Sequence, residues 1–228
     1  MAINAFLLEG VISDCFISFK AYFDLTYSLH KKVYDFYFQY QNKDLLQEIR
    51  EIEFDVNSIQ KRMAEEIVWN ISQHTPQATD LRFFLAVLLS LKDLERFADY
   101  GFSIAQIINK QGKELSTVFK SFDIFSEMLK CIKEIWKEFI KCKGRINAID
   151  LKQCSGIRNK FIEMQKHAFA KTSELVLVIS EMNKDLPSFV HLVLVKLGRA
   201  MDHIFNVIEN FCQAYFPDME NEDILNES

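Results

Sequence analysis

Glu51 and Asp55 stand four residues apart in this chain, and so do Glu95 and Asp99. On a helix, side chains at i and i+4 project from one face. Two such pairs on neighbouring antiparallel helices would bring four carboxylates together. That group is either an all-oxygen site for a hard cation (iron, manganese, magnesium or calcium) or an ion-paired surface in which Arg50, Arg62, Lys92 or Arg96 answers the acids. Acid pairs at this spacing are common on ion-paired helix surfaces; like charges there weaken an isolated helix slightly, so their occurrence on two neighbouring helices lends the cation some weight. Spacing alone leaves both readings open. The paired Glu-x-x-His pattern of di-iron oxidases is absent, which leaves oxygen chemistry without support.

Other constellations are missing. The histidines, His30, His74, His167, His191 and His203, are dispersed, and there is no glycine-rich phosphate loop, nucleophile elbow or Cys-His pair. His203 follows Asp202 and could hydrogen-bond near a groove, although a lone helical histidine is more often structural. Trp69 and Trp136 read as core anchors. Arg82 and Arg199 could bind an anion, but capping or ion pairing suits them better. Cys15, Cys131, Cys142, Cys154 and Cys212 show no metal spacing and read as reduced core thiols of an intracellular protein.

The elements that would position these groups are helices. Among 228 residues there are only six Gly and three Pro, too few for the turns of a sandwich or barrel. Apolar residues recur at helical spacing almost throughout. The pattern gives helices over about 3–40, 45–72, 80–108, 115–141, 148–182 and 187–215. The aromatic run Tyr34 to Phe38 is also compatible with a strand. Pro76 sits in a loop or first helical turn, Asn109 to Gly112 ends the third helix, and the acidic stretch 218–228 reads as a frayed tail. The net charge of −5 argues against nucleic acid as the main partner. The longest apolar run, Phe83 to Leu91, is too short to cross a bilayer, and the N-terminal segment lacks the basic start of a signal peptide.

The expected fold is all-α: six long helices as two tandem three-helix bundles, with repeats at 1–111 and 112–217. An offset of 103 residues carries Leu94, Arg96 and Asp99 onto Leu197, Arg199 and Asp202, and Leu91 and Ile104 onto Leu194 and Val207. The same offset takes Glu95 to Gly198, Glu51 to Cys154 and Asp55 to Arg158. A cation site would therefore belong to the first repeat and be absent from the second.

These residues resemble the PhoU family of phosphate-transport regulators. The resemblance lies in Pro76-Gln-Ala-Thr-Asp-Leu-Arg82, in Leu94-Glu-Arg-Phe-Ala-Asp99, and in Glu51-Ile-Glu-Phe-Asp55 followed by Val56-Asn57. Leu197, Arg199, Asp202, His203, Asn206 and Glu209 form a degraded second copy. A related family of accessory proteins of Pit-type phosphate transporters shares the helical plan, but the Pro-x-Ala-x-Asp-Leu-Arg start favours PhoU. The resemblance implies a cytoplasmic, non-enzymatic, homodimeric regulator of phosphate uptake and phosphate-starvation signalling. Its implied partners are the ATP-binding subunit of a phosphate ABC transporter and a sensor histidine kinase. It also implies iron or another hard cation held by Glu51, Asp55, Glu95 and Asp99. Two other functions compete: a carboxylate-bridged phosphohydrolase, for which the chain offers no second set of chemical groups, and a generic scaffold bundle.

Overall fold

Long apolar stripes with few breakers give long helices. The computed structural model describes residues 2–119 and 123–216. Within them the chain forms seven helices: α1 (Ala2–Phe38), α2 (Lys43–His74), α3 (Thr79–Phe119), α4 (Ile124–Lys141), α5 (Ala148–Glu174), α6 (Val176–Met182) and α7 (Leu186–Tyr215). α1 alone has 37 residues, a rod of about 55 Å at 1.5 Å per residue. Two asparagines start helices: the Asn42 side chain accepts from the Leu45 amide, and Asn147 with Asp150 forms a reciprocal capping box. The 218–228 tail lies outside the described residues.

One open reading of the elements is decided and two expectations change. The aromatic run 34–38 is helical to Phe38, because Tyr34, Tyr37 and Phe38 pack ring against ring and Tyr34 also meets Phe125 of α4. The third helix does not stop at Gly112. That glycine takes φ 59° and ψ −134°, a conformation open to a residue without Cβ, and α3 resumes beyond the kink as far as Phe119. The segment 115–119, expected to open the fourth helix, thus belongs to α3. Finally, the expected 148–182 helix divides at Leu175, giving seven helices instead of six. Thr172 and Ser173 there donate their hydroxyls back to the Ala168 and Phe169 carbonyls. Such back-bonding bends a helix, and the β-branched Val176, Val178 and Ile179 that follow are weak helix formers.

The most extensive packing in the molecule is α3 against α7, with α1 and α2 beside α3, and α4, α5 and α6 beside α7. Aromatic rings lock the flanks to this spine. Trp136 stacks on Phe23 at 3.5 Å between centroids and on Phe139 at 4.7 Å, while Phe211 of α7 meets Phe19 and Phe139. Trp136 is the core anchor its type suggests, but Trp69 is 58% exposed on the outer face of α2. Of the cysteines, all free, Cys15, Cys131, Cys154 and Cys212 are buried and Cys142 is half-buried.

Burial shows how the halves correspond. On α1, Phe19, Tyr22, Phe23, Thr26, Leu29, His30 and Val33 are buried, and 106 residues on so are Phe125, Met128, Leu129, Ile132, Ile135, Trp136 and Phe139. On α2, Ile49, Val56 and Met63 match Cys154, Phe161 and Ala168 at an offset of 105. Between α3 and α7 the offset is 103, as Leu91, Leu94 and Ile104 match Leu194, Leu197 and Val207. One offset therefore cannot map the whole repeat. Applied to α2, 103 sends buried Ile49, Val56 and Met63 to exposed positions.

Candidate functional site

The four expected carboxylates separate into two groups. Glu95 and Asp99 lie on α3 beside α2, with side chains 15% and 35% exposed. Lys92 Nζ reaches Glu95 Oε2 at 2.7 Å, and Arg96 stands 3.8 Å from Glu95 and 3.5 Å from Asp99. Glu51 and Asp55, by contrast, are exposed on the outside of α2, where Glu51 accepts a hydrogen bond from Gln47 at 3.0 Å. The α2 acid turned toward α3 is Glu53, half-buried one turn beyond buried Ile49 and accepting from Asn57 at 2.6 Å. Burial pushes the Asp99 carboxyl above its ordinary range. Glu95 and Glu53 add to the rise, and Arg96 and Lys92 oppose it.

Sequence spacing missed Glu53. The signal was present in the heptad of buried Ile49, Val56 and Met63, which turns 53 inward and 51 and 55 outward. Beneath this face the Tyr22 hydroxyl of α1 is buried without a hydrogen-bond partner, and burial, then Glu95 and Asp99, raises its pKa. Among the described residues, no three His, Cys, Asp or Glu side chains are gathered closely enough to hold a metal ion. As placed, Lys92 and Arg96 take up the anionic oxygens on α3.

With α2 and α5 related by 105, the counterpart of Glu53 is Arg158, while Glu51 and Asp55 correspond to Gly156 and Lys160. Arg158 Nη2 donates to Asp202 Oδ1 at 2.8 Å, and its guanidinium lies 4.8 Å from the Phe205 ring centre. Its Nε is buried without a partner. The place of Glu95 is taken by Gly198, where a Cβ would come within 2.2 Å of Gln165 Nε2. Gln165 instead donates to the Leu194 carbonyl at 2.7 Å across that gap. The Glu209 carboxyl nearby is raised by burial. Arg158 lowers it, and Asp93 and Asp202 raise it further.

Between the two faces runs a polar seam that the spacing of acids did not disclose. Asp93 of α3 accepts from His203 Nδ1 at 2.8 Å, Asn206 Nδ2 at 3.0 Å and Asn210 Nδ2 at 3.2 Å, all from α7. His203 therefore bonds across the repeats to Asp93, while its sequence neighbour Asp202 is held by Arg158 and, at 3.8 Å, Arg199. The legible clue was the polar ridge His203, Asn206, Asn210 on an otherwise apolar helix. Arg82 is a cap: its Nε donates to the Ala214 carbonyl at 2.8 Å, at the C-terminal end of α7. The loop before it turns through Thr75 and Ala78, both at positive φ. The Pro76–Arg82 segment thus ties the α2–α3 corner to the far repeat.

Residues 19–108, which hold α2, most of α1 and the acidic part of α3, match the PhoU domain. Over those residues the chain is similar to the PhoU domain family. An uncharacterized protein of Mycoplasma pneumoniae is 24% identical over 184 residues, spanning 79% of this chain and 80% of that one. A Deinococcus radiodurans protein named as a phosphate-specific transport system accessory protein PhoU homolog is 24% identical over 176 residues, 76% of this chain and 78% of its own length. The crystal structure of PhoU from Pseudomonas aeruginosa superposes with a TM-score of 0.74 at 19% identity, covering 90% of this chain and 97% of that one. At such identity the superposition establishes the fold. The PhoU domain match ends at Ile108, and beyond it the likeness to that structure is one of fold.

Proposed function

We propose that this chain is a cytoplasmic, non-catalytic regulator of phosphate uptake and phosphate-starvation signalling that works by docking on a partner protein. The partner is the ATP-binding subunit of a phosphate ABC transporter or a sensor histidine kinase, and the working form is a homodimer. Support comes from the PhoU domain match and from relatives whose names describe accessory proteins of phosphate transport. Among the described residues no helix is long and apolar enough to cross a membrane.

The structural observation that carries the docking reading is the set of exposed apolar side chains on α2 and α3 near the closed end of their hairpin. Val68 and Trp69 are 59% and 58% exposed on α2, and Leu85 and Leu89 are 44% and 60% exposed on α3. Val68 and Trp69 line an open groove with Ala64, Glu65 and Ser72. Large exposed apolar groups mark interaction sites, and tryptophan is a frequent anchor in them. Co-purification from cells grown with ample phosphate tests this. The parent chain should bring down a nucleotide-binding subunit or a histidine kinase, and Trp69→Ala should lose it by about tenfold or more. Recovery of neither protein with the parent chain would overturn the reading.

A hard cation on the first repeat, iron or another divalent or trivalent ion, is a second proposal. It rests on the unpartnered Tyr22 hydroxyl beneath Glu95 and Asp99 and on the raised Asp99 carboxyl. Glu53, Glu95 and Asp99 would hold the ion after release of Lys92 and Arg96, with Glu51 and Asp55 at its margin. The ion would neutralise the acids and brace α2 against α3. Metal content should fall with Asp99→Ala and survive Asp55→Ala; loss of metal in neither variant would sink the proposal.

A further inference from the structure

In the polar seam between α3 and α7, Asp93 Oδ1 lies 2.8 Å from His203 Nδ1. A carboxylate has no proton to give, so Nδ1 is the donor and the neutral ring keeps its lone pair on Nε2. Asn206 and Asn210 also donate to Asp93, at 3.0 Å and 3.2 Å, which holds the carboxylate in place. Tyr100 lies along the imidazole, 5.7 Å between ring centres and 27° between planes. The ring is thus held in one tautomer and one orientation. Its side chain is 23% exposed. Nε2 makes no hydrogen bond to the described residues, yet it is not one of the buried polar atoms left without a partner, so it meets solvent.

An oriented imidazole with a free nitrogen is either a metal ligand or a nucleophile. Its neighbours decide between them. Lys196 and Arg199 stand seven and four residues before His203, on the same face of α7. Lys196 Nζ lies 5.6 Å from the Tyr100 ring centre, and the Arg199 side chain is 64% exposed. Two cations on this face repel a metal ion and attract an anionic electrophile. No group of three His, Cys, Asp or Glu is gathered among the described residues to hold a metal against that repulsion. At the 103-residue offset, His203 corresponds to Tyr100 and Lys196 to Asp93. The Asp93–His203 and Lys196–Tyr100 contacts therefore occupy equivalent places across the spine, and only one of them carries a basic nitrogen.

We propose that His203 Nε2 is a phosphoryl acceptor, loaded by a donor of the phosphoramidate class. The Nε2 lone pair forms the new N–P bond as the donor's own P–N bond breaks. The donor nitrogen, already protonated, leaves as a neutral amine with that electron pair. The ring becomes an imidazolium: Nδ1 keeps its proton, and Asp93 answers the new positive charge. Lys196 and Arg199 supply positive charge for the phosphoryl oxygens. The proposal does not rest on the docking face or on the acidic face of α2 and α3.

Incubation of the full chain with potassium phosphoramidate tests it, read by peptide mass mapping at alkaline pH and by phosphorus NMR. His203 should be phosphorylated on Nε2, about tenfold faster than His167 and His191, which are more exposed but have no carboxylate bonded to the ring. Asp93→Asn should slow the reaction at His203 by about tenfold, the worth of one charge-assisted hydrogen bond to the imidazolium. That substitution also touches the seam between the repeats. Arg199→Gln, at an exposed position, leaves the seam intact and should slow the reaction by about threefold. Labelling of His167 or His191 as fast as His203 would overturn the assignment. A label on Nδ1 would do the same, as would an unchanged rate in either variant while its circular dichroism remains that of the parent.

Discussion

Asp99 in the first repeat faces Glu53 across the α2–α3 interface, whereas its counterpart Asp202 in the second faces Arg158 across α5 and α7. The helices around the two aspartates carry matching buried positions, so the backbone frame is shared and the charge opposite one carboxylate is inverted. In the second repeat the answering charge comes from the facing helix: Arg158 binds Asp202, covers Phe205 and moderates Glu209. The first relies on Lys92 and Arg96, side chains more than half exposed whose pairs contribute little in water. A duplicated frame can thus keep its packing while one copy answers its aspartate from the facing helix and the other from its own helix. The polar seam at Asp93 lies between them, so a change of charge on either face acts close to the contact that joins the repeats.

The largest test of the comparison lies in the core below these faces. His30 and Trp136 occupy matched positions, and each has a buried ring nitrogen without a partner, Nδ1 in His30 and Nε1 in Trp136. Only the histidine titrates. His30 Nε2 lies 2.7 Å from the Phe97 carbonyl, and burial brings its pKa down to about 4 despite that bond. The unfolded chain takes up this proton near pH 6.5, so stability falls as pH drops from about 6.5 toward 4. The loss approaches about 3 kcal/mol. Denaturant titrations across that range should show the loss in the parent and a flatter profile in His30→Gln. An equally steep profile in the variant would assign the acid sensitivity elsewhere.

Arg158→Glu makes the second repeat like the first. It sets a third carboxylate beside Asp202 and half-buried Glu209 and removes the ring contact with Phe205. The expected destabilisation is about 2 kcal/mol at neutral pH, read by denaturant midpoint. The reverse exchange, Glu53→Arg, offers Asp99 the cation that Asp202 already has. It should stabilise the chain by roughly 0.5 kcal/mol, since the pair would be partly exposed. Similar signs for the two substitutions would end the idea that these positions correspond.

Much of this frame could be read from the amino-acid sequence. Scarce breakers and a 3.6-residue apolar period gave long helices, and Leu94 to Asp99 against Leu197 to Asp202 showed the repeat. What escaped was phase. A one-offset map cannot register two-residue differences in the connections, so it paired Asp55 with Arg158 where burial pairs Glu53. Tertiary packing also decided Trp69, whose type suggests burial and whose place on α2 exposes it. The division at Leu175 came from hydroxyl back-bonding at Thr172 and Ser173, a local competition that apolar periodicity does not record.

The finest test asks whether the two aspartates respond oppositely to loss of charge. Burial first, then Glu95, makes ionised Asp99 costly in the folded chain. A carboxyl raised above its unfolded value keeps its proton longer in the native state. Its contribution therefore declines as pH rises from the ordinary aspartate range, near 3.9, through the higher folded value. In chelator-treated protein, Asp99→Asn should consequently raise the melting temperature at neutral pH, and the gain should fade as pH falls below the ordinary range. Asp202→Asn should lower it, because Arg158 would lose its anionic partner while its Nε is already unpartnered. Combining Asp99→Asn with Glu53→Arg should abolish or reverse the gain, a coupling expected only for residues in contact. Simple additivity would place Glu53 and Asp99 too far apart to interact and would remove the electrostatic half of the comparison.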